Sequence, residues 1–223
     1  ILPAMVRGGV ERGTVEMADA IKKHGGRAIV ISRGGPMVRH LNRLGATHYQ
    51  LDVHAKNPFR WPQVRSRLKA ILSRENVDLV HVRSRAPAWI ALPAAAALGI
   101  ATVSTVHGRF TTLSALKRIY NRKLLKTDHV IAISNYVRDL IISQHVEVEN
   151  RLTVVHRGVD IDLFNPNNVN QTRIVNLVEG LAIPEDEPVI MLPARATKWK
   201  GHRILLQALA KIKDRPFICL MIG

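Results

Sequence analysis

Short, unbroken apolar runs alternate with longer stretches in which apolar residues return every three or four positions, and this exchange continues along almost the whole chain. The runs read as strands and the stretches as helices. Strands are predicted at 1–5, 28–32, 47–53, 77–82, 101–106, 129–133 and 152–156, with helices near 11–24, 37–44, 58–75, 86–98, 112–126 and 135–144. The strands are continuously apolar rather than alternating, which implies burial on both faces. Regular strand–helix alternation then predicts an α/β fold, a Rossmann-like parallel sheet with helices on both faces. Asn165-Pro166-Asn167-Asn168 breaks the rhythm as a linker. Beyond it come a helix at about 171–180, a Pro-flanked turn at 184–188, and a fresh unit with a strand from Val189, a helix at about 202–212 and a strand at 216–222. The predicted organisation is a first domain over 1–166, a linker and helix over 167–187, and the beginning of a second Rossmann-like domain over 188–223. Because the sequence starts inside one apolar run and stops inside another, the expectation is a chain lacking its head and most of its second domain.

Composition refines this picture in a few places. Aromatics make up only 4% of the 223 residues, so the core is built from Val, Ile, Leu and Ala. The formal net charge of +16 favours anionic partners, whether nucleic acid, acidic membrane or phosphorylated substrates, without choosing among them. Cys219 is the single cysteine, which excludes an intrachain disulfide and a Cys-based metal site; within its apolar run it reads as a buried structural thiol. There is no signal-like segment and no apolar stretch of membrane-spanning length, so a cytoplasmic protein is expected, with docking on a membrane surface left open. Asn170-Gln171-Thr172 matches a glycosylation sequon but reads here as a turn or helix cap.

Candidate chemistry gathers where strands end, since ligands of open α/β sheets bind at the C-terminal strand edge. Those ends carry Gly8-Gly9, Gly34-Gly35, Arg83-Ser84, His107-Gly108, Ser134 and Arg157-Gly158. Further along, Ala194-Arg195-Ala196-Thr197-Lys198-Trp199-Lys200-Gly201 follows a strand and precedes a helix. Arg195 offers a planar fork of donors and Lys200 a point charge, a combination that grips a diphosphate beside a helix N-terminus; a basic loop of no special role is the alternative. Gly8 and Gly9 permit close approach of backbone to a phosphate, or simply a tight turn. Their spacing is not that of a dinucleotide fingerprint, and the second strand ends in Ser32-Arg33 with no acid for a ribose hydroxyl, which argues against NAD; Arg33 leaves NADP open. His107 stands where an imidazole can exchange hydrogen bonds with a ligand near neutral pH. His81 reads as core, and His156-Arg157-Gly158 offers a phosphate contact or shapes the domain junction. Two basic-apolar patches, Phe59-Arg60-Trp61 and the helix carrying Lys117, Arg118, Arg122, Lys123 and Lys126, suit an anionic lipid surface or a solvated helix face.

Taken together these stretches resemble the retaining glycosyltransferases of family 4 (group 1), which have the GT-B fold of two facing Rossmann-like domains. The resemblance rests on Gly8-Gly9-Val10-Glu11-Arg12, on Thr-Val-His-Gly ending at Gly108, on Ile-Ala-Ile-Ser-Asn ending at Asn135, on Gly-Val-Asp-x-x-x-Phe-x-Pro ending at Pro166, and on Arg-x-x-x-x-Lys-Gly ending at Gly201. It implies a nucleotide-sugar donor in an interdomain cleft, with Arg195 and Lys200 on the donor diphosphate, Gly8 and Gly9 facing the phosphates and acceptor, and His107 catalytic beside the donor sugar. It implies no metal and no cofactor, because the cations neutralise the leaving diphosphate, and a lipid-linked, lipopolysaccharide-type or other glycan acceptor at the inner membrane face. Two departures stand out: Ala194 replaces the usual Gly before Arg195, and the family's paired-glutamate motif does not occur before Gly223, so this piece alone is expected to be inactive.

Two rival readings come from other classes. An NADP-dependent Rossmann oxidoreductase would use Arg33, but Tyr49, Tyr120 and Tyr136 show no partner spacing for an acid at the nicotinamide. A basic nucleic-acid binder rests only on charge, with no interleaved aromatics or zinc-finger signature, and no nucleic-acid partner is expected.

Overall fold

The computed structural model describes residues 1–55, 57–108, 114–184 and 186–223. They form two compact units, 1–158 and 159–223.

In the first unit the order is α1 (Gly9–Lys23), β1 (Ile29–Ser32), α2 (Val38–Arg43), β2 (Thr47–Gln50), α3 (Trp61–Arg74), β3 (Leu79–Val82), α4 (Arg85–Ala96), β4 (Ala101–Val106), α5 (Ala115–Arg122), β5 (His129–Ala132), α6 (Asn135–Ile142) and β6 (Leu152–Val154). Strands β3, β4, β5 and β6 lie side by side in that order, all parallel, and β1 pairs with β2 in parallel. Residues 1–5 carry no regular ladder of the kind the sequence predicts, yet they bridge the two sheets. Leu2 N donates to Ile31 O and Met5 N to Gly34 O on one side, while Arg83 N donates to Ile1 O on the other. All the strand C-terminal ends therefore open at one edge.

The packing follows the apolar runs. Val80, Val82, Val106 and Val130 from the strands meet Leu68 of α3, Ile90 of α4 and Ile141 of α6 in one buried cluster. Helix α4 presents Ala88, Ala91, Ala94 and Ala95, all fully buried, and these small side chains let its backbone come close to its neighbours. Polar ties fix the β4–β5 alignment. The Asp128 carboxylate accepts from both Thr102 N and Thr102 Oγ1 at 2.7 Å, and Ser104 Oγ bonds Thr127 Oγ1 at 2.9 Å. Ser114 and Ser134 cap α5 and α6 by accepting from Lys117 N and Val137 N. A 3₁₀ stretch over Val146–Arg151 precedes β6 and is absent from the sequence-based expectation.

The second unit contains α7 (Gln171–Gly180), β7 (Val189–Pro193), α8 (His202–Leu209) and β8 (Ile218–Ile222), with β7 and β8 parallel. Leu209 is its one buried apolar residue among those described, and Leu206 on the same helix is exposed. Truncating Leu68 to Ala should lower unfolding free energy by about 2–5 kcal/mol, whereas Leu206→Ala should change it by about 0.5 kcal/mol or less. Urea unfolding followed by circular dichroism checks the contrast, and equal losses would contradict this partition of the core.

Candidate functional site

Helix α1 begins in the open. Gly8 takes the N-cap position in an extended conformation and has no side chain to accept from the first-turn N–H groups. Those groups and the helix dipole give this end partial positive charge. The Glu11 carboxylate folds back against Gly8, in the space a Cβ there would occupy.

Three strand ends supply side chains beside this helix. Arg83 follows β3 and is only 7% exposed, and its guanidinium Nε is buried without a hydrogen-bond partner among the described residues. Arg157 lies beyond β6; its Nη1 is 2.8 Å from where a Cβ of Gly9 would stand. A Cβ on Gly13 would lie 2.8 Å from Arg157 Nη2 and 3.1 Å from Arg83 Nη2, so the two guanidiniums converge on the same bare face of α1. Glu16 Oε2 stands 3.6 Å from Arg157 Nη2, and the same carboxylate takes Arg12 Nε at 2.9 Å. His107 follows β4 with both ring nitrogens buried and unpartnered among the described residues.

The electrostatics agree with this geometry. Burial, reinforced by Arg157, pulls the Arg83 guanidinium down to about 10, against the opposing pull of Glu16. Burial and then the charges of Arg83 and Arg157 lower His107 to about 4, so its imidazole is neutral at physiological pH. His81, held by Thr105 Oγ1 at 2.7 Å, is lowered to about 3 chiefly by burial. A neutral imidazole beside two convergent guanidiniums and an uncapped helix start can take up an anion and hydrogen-bond an uncharged hydroxyl next to it.

Gly8, Gly9 and His107 therefore share the strand-end edge of the first unit. Gly13 and Glu16 also shape this site; sequence reasoning gave them no role, although Gly9 and Gly13 one turn apart were the available signal.

Arg195 and Lys200 belong to the other unit. Both are exposed on the connection from β7 to α8, and neither makes an ion pair among the described residues. Lys200 Nζ rests 4.5 Å from the Trp199 ring centre. Gly201, at φ 83°, makes the left-handed turn that starts α8, a conformation that favours glycine. His202 Nε2 contacts Ala194 O at 3.1 Å and fixes the loop's entrance to its exit.

A third region joins the two basic-apolar patches. Trp61 turns inward, donates its indole N–H to Ala55 O and packs on Trp89 at 5.7 Å, and Trp89 stacks on Tyr120 at 6.2 Å. Lys123 lies 5.6 Å from the Trp89 ring centre and Arg122 pairs with Glu147 at 2.8 Å. Phe59 is 92% exposed, Leu116 80% exposed and Ile119 exposed, and Arg60, Lys117, Arg118 and Lys126 are exposed as well. Arg33 is exposed at the end of β1, and Tyr49 is committed to Glu75 by a 2.6 Å hydrogen bond. No trio of His, Cys, Asp or Glu among the described residues could hold a metal ion, and no helix among them is long and apolar enough to cross a membrane.

The parallel sheet, its strand-end edge and the motif order define a Rossmann-like α/β domain, and the match to a known family is specific. Residues 7–163 match the model of Glycosyltransferase Family 4, and the chain belongs to that family. It is similar to spore coat protein SA of Bacillus subtilis (strain 168), with 24% identity over 222 residues, which is 97% of this chain and 56% of that protein. A glycosyltransferase structure from Rickettsia africae ESF-5 superposes with a TM-score of 0.87 and 36% identity, covering 100% of this chain and 59% of that one. Anabaena Alr3699/HepE, solved with UDP-glucose, shares the fold at a TM-score of 0.76 and 18% identity, over 94% of this chain and 57% of that one. The chain thus spans somewhat more than half the length of these relatives.

His107 makes the site's protonation testable. An unfolded imidazole titrates near 6.5 and the folded one near 4, so between these values the unfolded chain takes up a proton that the folded chain refuses, and acidification through this window destabilises the fold. In His107→Gln the urea midpoint should fall less steeply from pH 6.5 to 4 than in the parent, with a residual slope from His81. Parallel curves would show that the His107 ring is not held neutral by burial.

Proposed function

We propose that the chain is the acceptor-side domain and the first part of the donor-side domain of an enzyme that transfers a sugar, with retention, from a nucleotide sugar to a glycan, lipopolysaccharide or other lipid-linked acceptor. Membership of Glycosyltransferase Family 4 and the UDP-glucose complex of the similarly folded Anabaena protein support a nucleotide-sugar donor. The observation that carries the residue assignment is the pair of exposed cations, Arg195 and Lys200, on the β7–α8 connection, neither in an ion pair among the described residues. In this reading they hold the donor diphosphate. As the bond from the anomeric carbon to the diphosphate oxygen breaks, the diphosphate leaves with the electron pair and the acceptor hydroxyl oxygen bonds to that carbon on the same face. The proton of that hydroxyl passes to the departing phosphate. Fixed cations gain attraction as the leaving charge grows, which takes the charge-neutralising part of the reaction without a metal or cofactor. Neutral His107 hydrogen-bonds the donor sugar and orients its anomeric carbon.

The exposed apolar residues Phe59, Leu116 and Ile119, with Arg60, Lys117, Arg118, Arg122, Lys123 and Lys126 on the same two chain segments, support peripheral docking on an anionic membrane from the cytoplasmic side. Trp61 serves this face from beneath, through Trp89 and Tyr120.

In turnover assays of the natural full-length protein with nucleoside-diphosphate sugars, Arg195→Ala and Lys200→Ala should each lower kcat by about 2–4 kcal/mol of barrier while leaving acceptor KM nearly unchanged. Arg195→Lys should also be poor, because an ammonium lacks the planar fork. Full turnover in both alanine variants would return this loop to a solvated basic surface. Separately, Phe59→Ser with Leu116→Ser should reduce co-sedimentation with phosphatidylglycerol vesicles, and added salt should reduce the parent's binding; undiminished binding by the double variant would rule this face out.

A further inference from the structure

The geometry points to a second anion subsite, separate from Arg195 and Lys200: Arg83 and Arg157, at the open end of α1, hold an oxyanion of the acceptor, a phosphate or a carboxylate. The inference rests on the glycosyltransferase reading for the word acceptor, and on this chain's own residues for the anion.

The first ground is an unbalanced charge. Two guanidiniums meet within about 3 Å of one point on α1, the place where Gly13 lacks a Cβ. Like charges this close repel, and more strongly where water is partly excluded. Arg83 is also buried with no ion pair or side-chain hydrogen bond among the described residues. A buried charge without a partner is costly, so such a group is retained where something outside the chain completes it. The carboxylates at hand are already engaged. Glu16 offsets Arg83 only from beyond ion-pair distance while it is shared between Arg12 and Arg157, and Glu11 is folded over Gly8.

The second ground is the kind of donor present. Two planar forks lie against the first turns of a 15-residue helix whose N-terminus has no side-chain cap. His107 adds two buried, unpartnered nitrogens to the same neighbourhood. Tetrahedral or planar oxyanions match this set, and a cation or an apolar group does not.

The third ground separates acceptor from donor. Every member lies within residues 1–158, so the subsite is complete in the first unit. The donor diphosphate already has its own cations, Arg195 and Lys200, in the second. Gly9 and Gly13 are required for the arginines to reach this place, since a side chain at either would push Arg157 away.

Calorimetric titration of the chain with inorganic phosphate and with pyrophosphate tests both parts. Arg157→Gln, at a partly exposed position, and Arg83→Met, which fills the same buried space, should each weaken phosphate binding roughly tenfold or more, the size expected for losing a charged hydrogen bond. Neither should shift pyrophosphate affinity beyond about twofold, a change within the scatter of such measurements. Arg195→Ala with Lys200→Ala should show the reverse pattern. Unchanged phosphate affinity in the folded Arg157→Gln protein would overturn the subsite. Equal losses of phosphate and pyrophosphate in that variant would assign the arginines to the donor diphosphate and overturn the acceptor assignment. Pyrophosphate binding that ignores Arg195 and Lys200, with the phosphate pattern intact, would strike the donor reading alone and leave the subsite standing.

Discussion

Two glycines one turn apart, Gly9 and Gly13, leave α1 bare where it faces the strand ends, and the charge distribution of the first unit depends on that bareness. Parallel strands bring all their C-terminal ends to one edge, so residues far apart in sequence emerge together there. Only a helix without Cβ atoms on that face lets two long guanidiniums settle against it. The contact of Glu16 with Arg157 goes with that close approach, and the two guanidiniums add to the burial that keeps His107 neutral.

The edge holds its shape because the strands behind it are pinned by more than their ladders. Thr102 gives both its donors to Asp128, and Ser104 and Thr127 bond to each other beneath the sheet, so β4 and β5 cannot slip past one another without leaving buried polar groups unpaired. This alignment sets where β4 delivers His107. The apolar cluster of valines and alanines supplies stability but little direction; the hydroxyl and carboxylate ties supply the direction.

Much of this architecture was readable from residue pattern alone. Strand β4, at Ala101–Val106, stands between Gly99 and His107-Gly108, and α7, at Gln171–Gly180, stands between a capping Asn170 and a helix-ending glycine, so each has punctuation at both ends. Residues 1–5 read as a strand because they are apolar, and they do bond on both sides, but too irregularly for a ladder. The 3₁₀ stretch at Val146–Arg151 was hidden because its alternating apolar and acidic residues carry no helical period. The helix expected from 112 starts at Ala115 after Ser114, with 112 and 113 outside the described residues, and α8 ends at Leu209 rather than near 212. At the site, the strand-end rule led to Gly8, Gly9, Arg83, His107 and Arg157 as candidates. It could not show that Arg83 and Arg157 turn toward the same helix face, because the direction of a long side chain is set by what its neighbours leave empty. Trp61 shows the same limit: its sequence neighbours Phe59 and Arg60 face outward while its own ring packs inward.

The aromatic column of Trp61, Trp89 and Tyr120 also gives the molecule a built-in optical gauge. The chain has three tryptophans. Two stand in this column, where Tyr120 can pass its excitation to Trp89 across 6.2 Å, and the third, Trp199, sits exposed in the other unit beneath the Lys200 ammonium. Emission from the column therefore registers shifts of α5 over α4, while emission from Trp199 registers the surroundings of the β7–α8 loop. One spectrum carries two separable signals, blue for the sheltered pair and red for the exposed ring, with no label attached.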